Sequence, residues 1–281
     1  MSVFHKLLLF SAIFMLAAVS CADNSTPSET SETDMEVDFL DVGKADAAVV
    51  LTDNSTVIID CGEKGDAKHI LKLLESRERD SADYLIITHF DKDHVGGAGK
   101  IIKELDVHNI LIPDYTPEDS NEMDKFREAL AEKDITPQLM TEDISFSLDG
   151  AEYTINAPDK QDYGKNNDND FSLITRIQHG DNIMLFTGDA MEARLDEIMD
   201  IGRCDLLKVP YHGRKIGNFS EFLDAVSPEY AVVSTDKDDF SSSVQKQLSK
   251  RNIPYYSTCF NGMITVYSDG DDLTISTEKG E

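Results

Sequence analysis

Four side chains able to hold a metal ion, His89, Asp91, Asp93 and His94, stand within six residues directly after the apolar run at 84–88. That run reads as a short buried strand, so the four groups occupy the loop at its end. A loop can aim such closely spaced groups at one centre, whereas a helix would spread them round its circumference. Imidazole and carboxylate together suit zinc, manganese or iron. Two such ions a few ångströms apart need several ligands of this kind plus a bridging carboxylate. Gly96 and Gly97 follow, and let the backbone turn tightly beneath the site.

The surrounding pattern tells what carries this loop. Runs at 37–42, 47–51 and 56–60 read as strands, the last two joined by the Asp53-Asn54 turn. In 66–79, Ala67, Ile70, Leu71 and Leu74 fall at spacings of three and four and make one face of a helix. A short helix near Ile101, a strand at 109–112 and a helix at 121–133, with Phe126 and Leu130 one turn apart, come next. Strands at 171–178 and 182–187 form a hairpin across Gly180-Asp181, and further strands lie at 206–209, 230–234 and 263–267, with a helix at 219–226. Strand groups first, then alternating strands and helices, predict an α+β chain with two sheets flanked by helices, all within residues 36–281.

The N-terminal residues are set apart. Lys6 precedes the uncharged stretch 7–19 and the small residues before Cys21. The stretch is shorter than the ~20 apolar residues a bilayer span requires, so 1–20 is predicted to be a cleaved export signal. Ala18-Val19-Ser20-Cys21 resembles a bacterial lipobox, which makes Cys21 the expected lipidation site and anchors the chain by its acyl groups. Residues 21–35 then form an acidic Ser/Thr-rich tether. The predicted location is the outer face of the bacterial cytoplasmic membrane, or an outer membrane, with membrane contact through the lipid alone.

A net charge of −28 repels nucleic acid unless cations or a local basic patch offset it. No stripe of basic and aromatic residues offers a track for a strand. Cys61, Cys204 and Cys259 are odd in number and contain no Cys-x-x-Cys, which disfavours both a disulfide framework and a thiolate zinc site.

The segment His89-x-Asp91-x-Asp93-His94-x-Gly96-Gly97 after an apolar strand resembles the metal signature of the metallo-β-lactamase superfamily, with Asp91 where His is commoner. The Asp form is familiar in the ComEC/Rec2-like competence proteins, whose hydrolase domain also occurs as a separate protein. Segments 39–47, 58–62, 172–176, 185–189 and 208–213 resemble that branch in the same order. The resemblance implies an αββα sandwich of two mixed sheets and two divalent metal ions, zinc or manganese. It implies that His89 and Asp91 hold one metal, Asp93, His94 and His212 the other, and that Asp189 bridges them. A hydroxide between the metals would attack the substrate, with Asp93 and Asp189 as the catalytic carboxylates.

The chain also departs from this pattern. The further histidine expected before Asp189 is missing, and 163–172 offers only Asn166, Asn167, Asp168, Asn169 and Asp170, so the first site is weak or draws on a carboxylate such as Asp170. After the late strand, Asp238-Asp239-Phe240-Ser241 stands where another histidine is common. Lys215, beside Arg214, is the candidate contact for a substrate phosphate. Cys61 reads as a buried thiol in place of glycine, and His5, His69, His108 and His179 as structural or surface residues. The expected function is a metal-dependent, nuclease-like phosphodiesterase acting on a short nucleic-acid end or a small ester, alongside a separate channel protein. The competing expectation is a non-catalytic surface lipoprotein that serves DNA uptake or the envelope as a binding or assembly partner.

Overall fold

Strand β1 (Met35–Phe39) is the first element of the computed structural model, which describes residues 34–164 and 168–280. The export signal, Cys21 and the expected tether up to residue 33 lie outside the described residues, as do Asn166 and Asn167. Met35 was expected in the tether. Instead it is fully buried and pairs with Ser268, so the folded domain starts before Glu36. The polar residues that precede it hid its place at the head of a strand.

The first sheet is built mainly from the N-terminal half. After β1 come β2 (Ala48–Leu51), β3 (Thr56–Ile59), α1 (Ala67–Ser76), β4 (Ser81–Ile86), α2 (Lys92–Val95), α3 (Ala98–Glu104), β5 (Asp106–Pro113), α4 (Asn121–Lys133) and β6 (Gln138–Met140). The second sheet follows with β7 (Ile144–Leu148), β8 (Ala151–Asn156), β9 (Ile174–His179), β10 (Asn182–Phe186), α5 (Glu192–Glu197), β11 (Leu206–Lys208), α6 (Phe219–Val226), β12 (Tyr230–Val233), α7 (Ser242–Lys250) and β13 (Tyr255–Ser257). After α8 (Thr258–Asn261) the chain returns through β14 (Ile264–Ser268) and β15 (Leu273–Thr277) to the first sheet. The strand orders are β15-β14-β1-β2-β3-β4-β5-β6 and β13-β12-β11-β10-β9-β8-β7. Both sheets are mixed: β3 to β6 and β10 to β13 run parallel, the remaining pairs antiparallel.

Three apolar layers hold the sheets and helices together, which gives the αββα arrangement. The period-two side-chain alternation of a strand sends Val57 and Ile59 inward and Ile58 outward, so a strand covered on both faces must be apolar throughout. Outside the first sheet, Ile58 and Leu85 meet Ile70, Leu74, Ile101 and Phe126 of the helices. Between the sheets, Phe39 stacks on Phe186 at 5.5 Å, among Ile177, Met184 and Tyr153. Outside the second sheet, Leu185 and Leu207 meet Leu195, Phe219, Phe222 and Leu248. Each such side chain contributes about 1.5–3 kcal/mol by burial, and the two-sided packing is what fixes the strand register.

Strands β1, β3 and β4 run in one direction in the first sheet, and β10, β11 and β12 in one direction in the second. The loops that follow these six strands carry Lys44, Asp46, Asp60, His89, Asp91, Asp93, His94, Asp189, His212 and Arg214. Ligand groups gather at carboxyl ends of strands because the chain is there free of ladder pairing.

Candidate metal centre

His89 ends the segment after β4, and Asp93 and His94 lie in the short helix α2 that follows; all three are buried. Gly96 and Gly97 sit close behind. Their φ angles, −57° and −86°, are ordinary right-handed values, so the glycines are not needed for the turn that was expected of them. They are needed for close approach: a Cβ at Gly97 would lie 2.3 Å from the Cys61 carbonyl oxygen. That contact seats the ligand loop on the loop after β3, where Cys61 N also donates to the His94 carbonyl at 2.8 Å. Cys61 itself is fully buried, as a thiol in place of glycine would be.

Asp189 follows a tight Thr187-Gly188 turn after β10. Gly188 has φ +50°, and a Cβ there would crowd Thr88 and Ser172 at about 3 Å. The Asp189 amide donates to Ser172 Oγ at 3.1 Å. His212 comes after β11 in a turn where Tyr211, His212 and Gly213 have φ of 51°, 51° and 72° in succession. Left-handed backbone at a non-glycine residue costs roughly 1–3 kcal/mol, and here it turns a buried imidazole toward Asp189.

The three histidines share one arrangement. His94 Nδ1 donates to Asp60 Oδ2 at 2.8 Å, His212 Nδ1 to the Ser234 carbonyl at 3.2 Å, and His89 Nδ1 to Thr88 Oγ1 at 3.2 Å. Thr88 in turn donates to Asp60 through its hydroxyl (2.7 Å) and its amide (2.8 Å). The outer nitrogen of each ring is thereby fixed, and the inner Nε2 of all three is buried without a hydrogen-bond partner, as is Asp189 Oδ1. Asp189 stands between them, Oδ1 3.4 Å from His94 Nε2 and Oδ2 3.0 Å from His212 Nε2. Buried polar atoms left without partners are costly, and imidazole nitrogens facing a shared carboxylate are what a divalent cation satisfies once the rings give up their protons. The residues therefore fit the metals that the sequence implies.

The expected ligands do not all gather equally. His89, His94 and Asp189 present atoms within 4.8 Å of one another, and so do Asp93, His94 and His212. His94 thus belongs to both groups rather than to one. Asp91 lies 3.6 Å from His89, and its side chain is 47% exposed. Asp170 is not available as a substitute ligand: its Oδ1 accepts from the Met191 and Arg194 amides at the start of α5. The same contacts make Asp170 the group that caps this helix. Lys215 is exposed and does not line the cleft above the centre, whereas its neighbour Arg214 does. Of the other histidines, His69 and His108 are exposed, and His179 is buried against Ser268.

Three charged residues escaped the sequence reading. Asp46 is buried 3.5 Å from His212 Nδ1, Asp60 supports His94, and Lys208 reaches from β11 to Asp46, to the Gly188 carbonyl (3.0 Å) and to within 3.9 Å of Asp189. A signal for them existed, since Lys208 and Asp60 each interrupt or end an apolar strand, where an ionised group needs a partner.

Electrostatics bind the cluster together. Burial works to raise the Asp189 and Asp46 carboxyls, but His212 and His94 hold Asp189 well below the usual range, and Lys208 and His212 hold Asp46 down at about 2. Burial works to lower His94 and His212, and Asp189 outweighs it, pushing His212 up to about 9 and His94 well above its ordinary value. Without metal, both imidazoles are therefore protonated at pH 7. That charge stabilises the metal-free fold below the unfolded imidazole value and is lost as pH rises through about 9. A cation must displace these protons, so metal affinity should rise with pH and level off above about 9. Calorimetry in buffers of different ionisation enthalpy checks this; pH-independent binding without proton release would contradict the assignment.

Paired mixed sheets with outer helices, and a His/Asp cluster suited to metal at their shared strand ends, define a metal-dependent class of enzyme fold. The family model described as Metallo-beta-lactamase superfamily matches residues 40–236, and the chain belongs to that superfamily. It is 26% identical over 261 residues to Recombination protein 2 of Haemophilus influenzae, covering 89% of this chain and 31% of that protein. With ComE operon protein 3 of Bacillus subtilis it shares 26% over 255 residues, covering 82% and 32%. The chain thus spans about a third of the length of these curated relatives. Among solved structures, a proposed metal-dependent hydrolase of Parabacteroides distasonis superposes with a TM-score of 0.50 at 14% identity, over 79% of this chain and 91% of that one, a likeness of fold. Among the described residues no helix is long and apolar enough to cross a membrane.

Proposed function

We propose that this protein is a metal-dependent phosphodiesterase acting on a short nucleic-acid end or a small phosphate ester. The observation that carries the reading is the convergence of three unpartnered imidazole Nε2 atoms and Asp189 Oδ1 beneath an open cleft. Asp93, His94, His212 and Asp189 would hold one divalent ion and His89, with Asp91 and Asp189, a second and weaker one. Bound zinc or manganese supplies Lewis acidity toward phosphoryl oxygens and a lowered pKa for water. Asp60, through His94, and Ser234, through His212, fix which ring nitrogen faces inward. Lys44 holds Asp93 at 2.9 Å and so sets the orientation of that carboxylate at the cleft floor. The name of one relative, Recombination protein 2, supports a nucleic-acid substrate, and the charge of −28 favours a short one.

Hydrolysis of bis(p-nitrophenyl) phosphate tests this. Activity should disappear on chelation, return with manganese or zinc, and be absent from the Asp93→Ala, His94→Ala double variant. A metal-loaded protein that leaves the diester intact rejects the proposal.

A further inference from the structure

The cleft above the centre has a volume of about 470 Å³. Lysine and arginine make up only 26 of 281 residues in this acidic chain, yet three of the nine residues that line the cleft are Lys44, Lys92 and Arg214. Two of these cations are held in place. Asp239 Oδ1 accepts from Arg214 Nε at 2.9 Å and Nη2 at 2.6 Å, and the guanidinium lies 5.3 Å from the centroid of the Tyr211 ring. Lys44 Nζ donates to Asp93 Oδ2 and is one-third exposed at the rim of the centre. Both cations line this same cleft. Each is paired with a single carboxylate, Asp93 or Asp239, and its remaining N–H donors can serve an anion in the cleft.

The same lining also carries three carboxylates, Asp91, Asp93 and Asp189. Asp91 belongs to both the cleft and an adjoining hollow lined by Glu118, Asp168 and Asn169. A second phosphate extended in that direction would meet carboxylates.

We propose that Lys44 and Arg214 form an anion subsite that takes a single phosphate group of the substrate beside the His/Asp centre. Arginine suits the task because its planar fork matches phosphate oxygens in pairs, and Asp239 and Tyr211 set its orientation beforehand. The identity of the anion rests on the phosphodiesterase reading, while the existence of the subsite does not.

Inorganic phosphate is the probe, titrated into the metal-loaded protein by calorimetry. At equal metal content, Arg214→Gln and Lys44→Gln should each weaken binding about tenfold, or ~1.4 kcal/mol. Arg214→Lys should also weaken it, because the fork is lost. With bis(p-nitrophenyl) phosphate the same variants should raise KM more than they lower kcat. A single-stranded oligonucleotide should bind no more tightly than a dinucleotide; affinity that grows with length overturns the one-phosphate limit. Unchanged phosphate binding in both glutamine variants, or a loss seen only in Lys215→Gln, overturns the subsite. A wild type that binds phosphate in this Arg214-dependent way but hydrolyses nothing upholds the subsite and removes the phosphodiesterase reading instead.

Discussion

Asp189→Asn should lower kcat/KM for phosphodiester hydrolysis by about 10³-fold or more, the equivalent of several kcal/mol of charge stabilisation at 1.36 kcal/mol per decade. The two oxygens of this carboxylate face different histidines, 3.4 Å from His94 Nε2 and 3.0 Å from His212 Nε2. The amide is nearly the same size but removes the negative charge from between them. Two imidazoles pushed toward the protonated form by that charge then lose their counterion, and a bound cation loses the one carboxylate common to both sides of the centre. Metal content after gel filtration should fall together with activity, while circular dichroism stays native. Full metal retention with wild-type turnover would show that Asp189 is a structural turn residue.

Lys208→Met should destabilise the fold by about 3–5 kcal/mol, the range for breaking a buried ion pair from one side. The Lys208 ammonium is 4% exposed between Asp46 and the Gly188 carbonyl, with Asp189 3.9 Å away. Methionine fills the volume but leaves Asp46 charged and buried, with His212 and His94 as its remaining cationic neighbours. Urea unfolding at neutral pH measures the loss, read as a shift of midpoint at constant slope. The double variant Lys208→Met, Asp46→Asn should recover part of it, because the stranded charge is gone. A single variant as stable as wild type would show that the pair contributes no net stability.

Much of the fold was written in periodicity. Helices α4 and α6 have the predicted bounds 121–133 and 219–226, because apolar spacing and end signals agree: Ser120 caps the Met123 amide, and Asp134 and Ser227 adopt left-handed conformations at the C-termini. Other boundaries moved for tertiary reasons. The strand expected from 171 starts at Ile174, since Phe171 belongs to a short 3-10 turn and stacks on Tyr115 at 4.3 Å. Strands β7 and β15 were missed because their side chains alternate between half-buried and exposed serines and threonines, too polar to stand out. In α1 the buried set includes Leu73 as well as Ile70 and Leu74, while Leu71 is only partly covered, because the sheet beneath is wider than a single stripe.

At the centre, the residues clustered in sequence were easy to find and their supports were not. His89, Asp93 and His94 share one loop and helix, and Asp189 and His212 stand in turns with evident glycines. Asp46, Asp60 and Lys208 meet only when two sheets pack face to face, and no local spacing encodes that meeting. The position of Arg214 rather than Lys215 at the cleft has the same origin: the two are adjacent in sequence, and it is Asp239, 25 residues on, that draws Arg214 there.

The return of the chain to its first sheet has a consequence for how the protein comes into being. Strand β1 pairs with β14, which starts 229 residues later, at 264 rather than 35. The outer flank of β1 therefore stays uncovered in a folding chain until that distant hairpin docks. During that interval it is an open strand edge, the usual template for unwanted pairing between chains. Glu36 and Asp38 stand on that strand, and Arg77 reaches Glu36 from the end of α1. In the finished fold Asp38 is buried with its carboxyl pushed up to about 7, an expensive place for an acid. While the edge is open the same residue is an ordinary solvated anion, and a nascent chain with two carboxylates on its exposed strand repels its own copies until the last hairpin arrives.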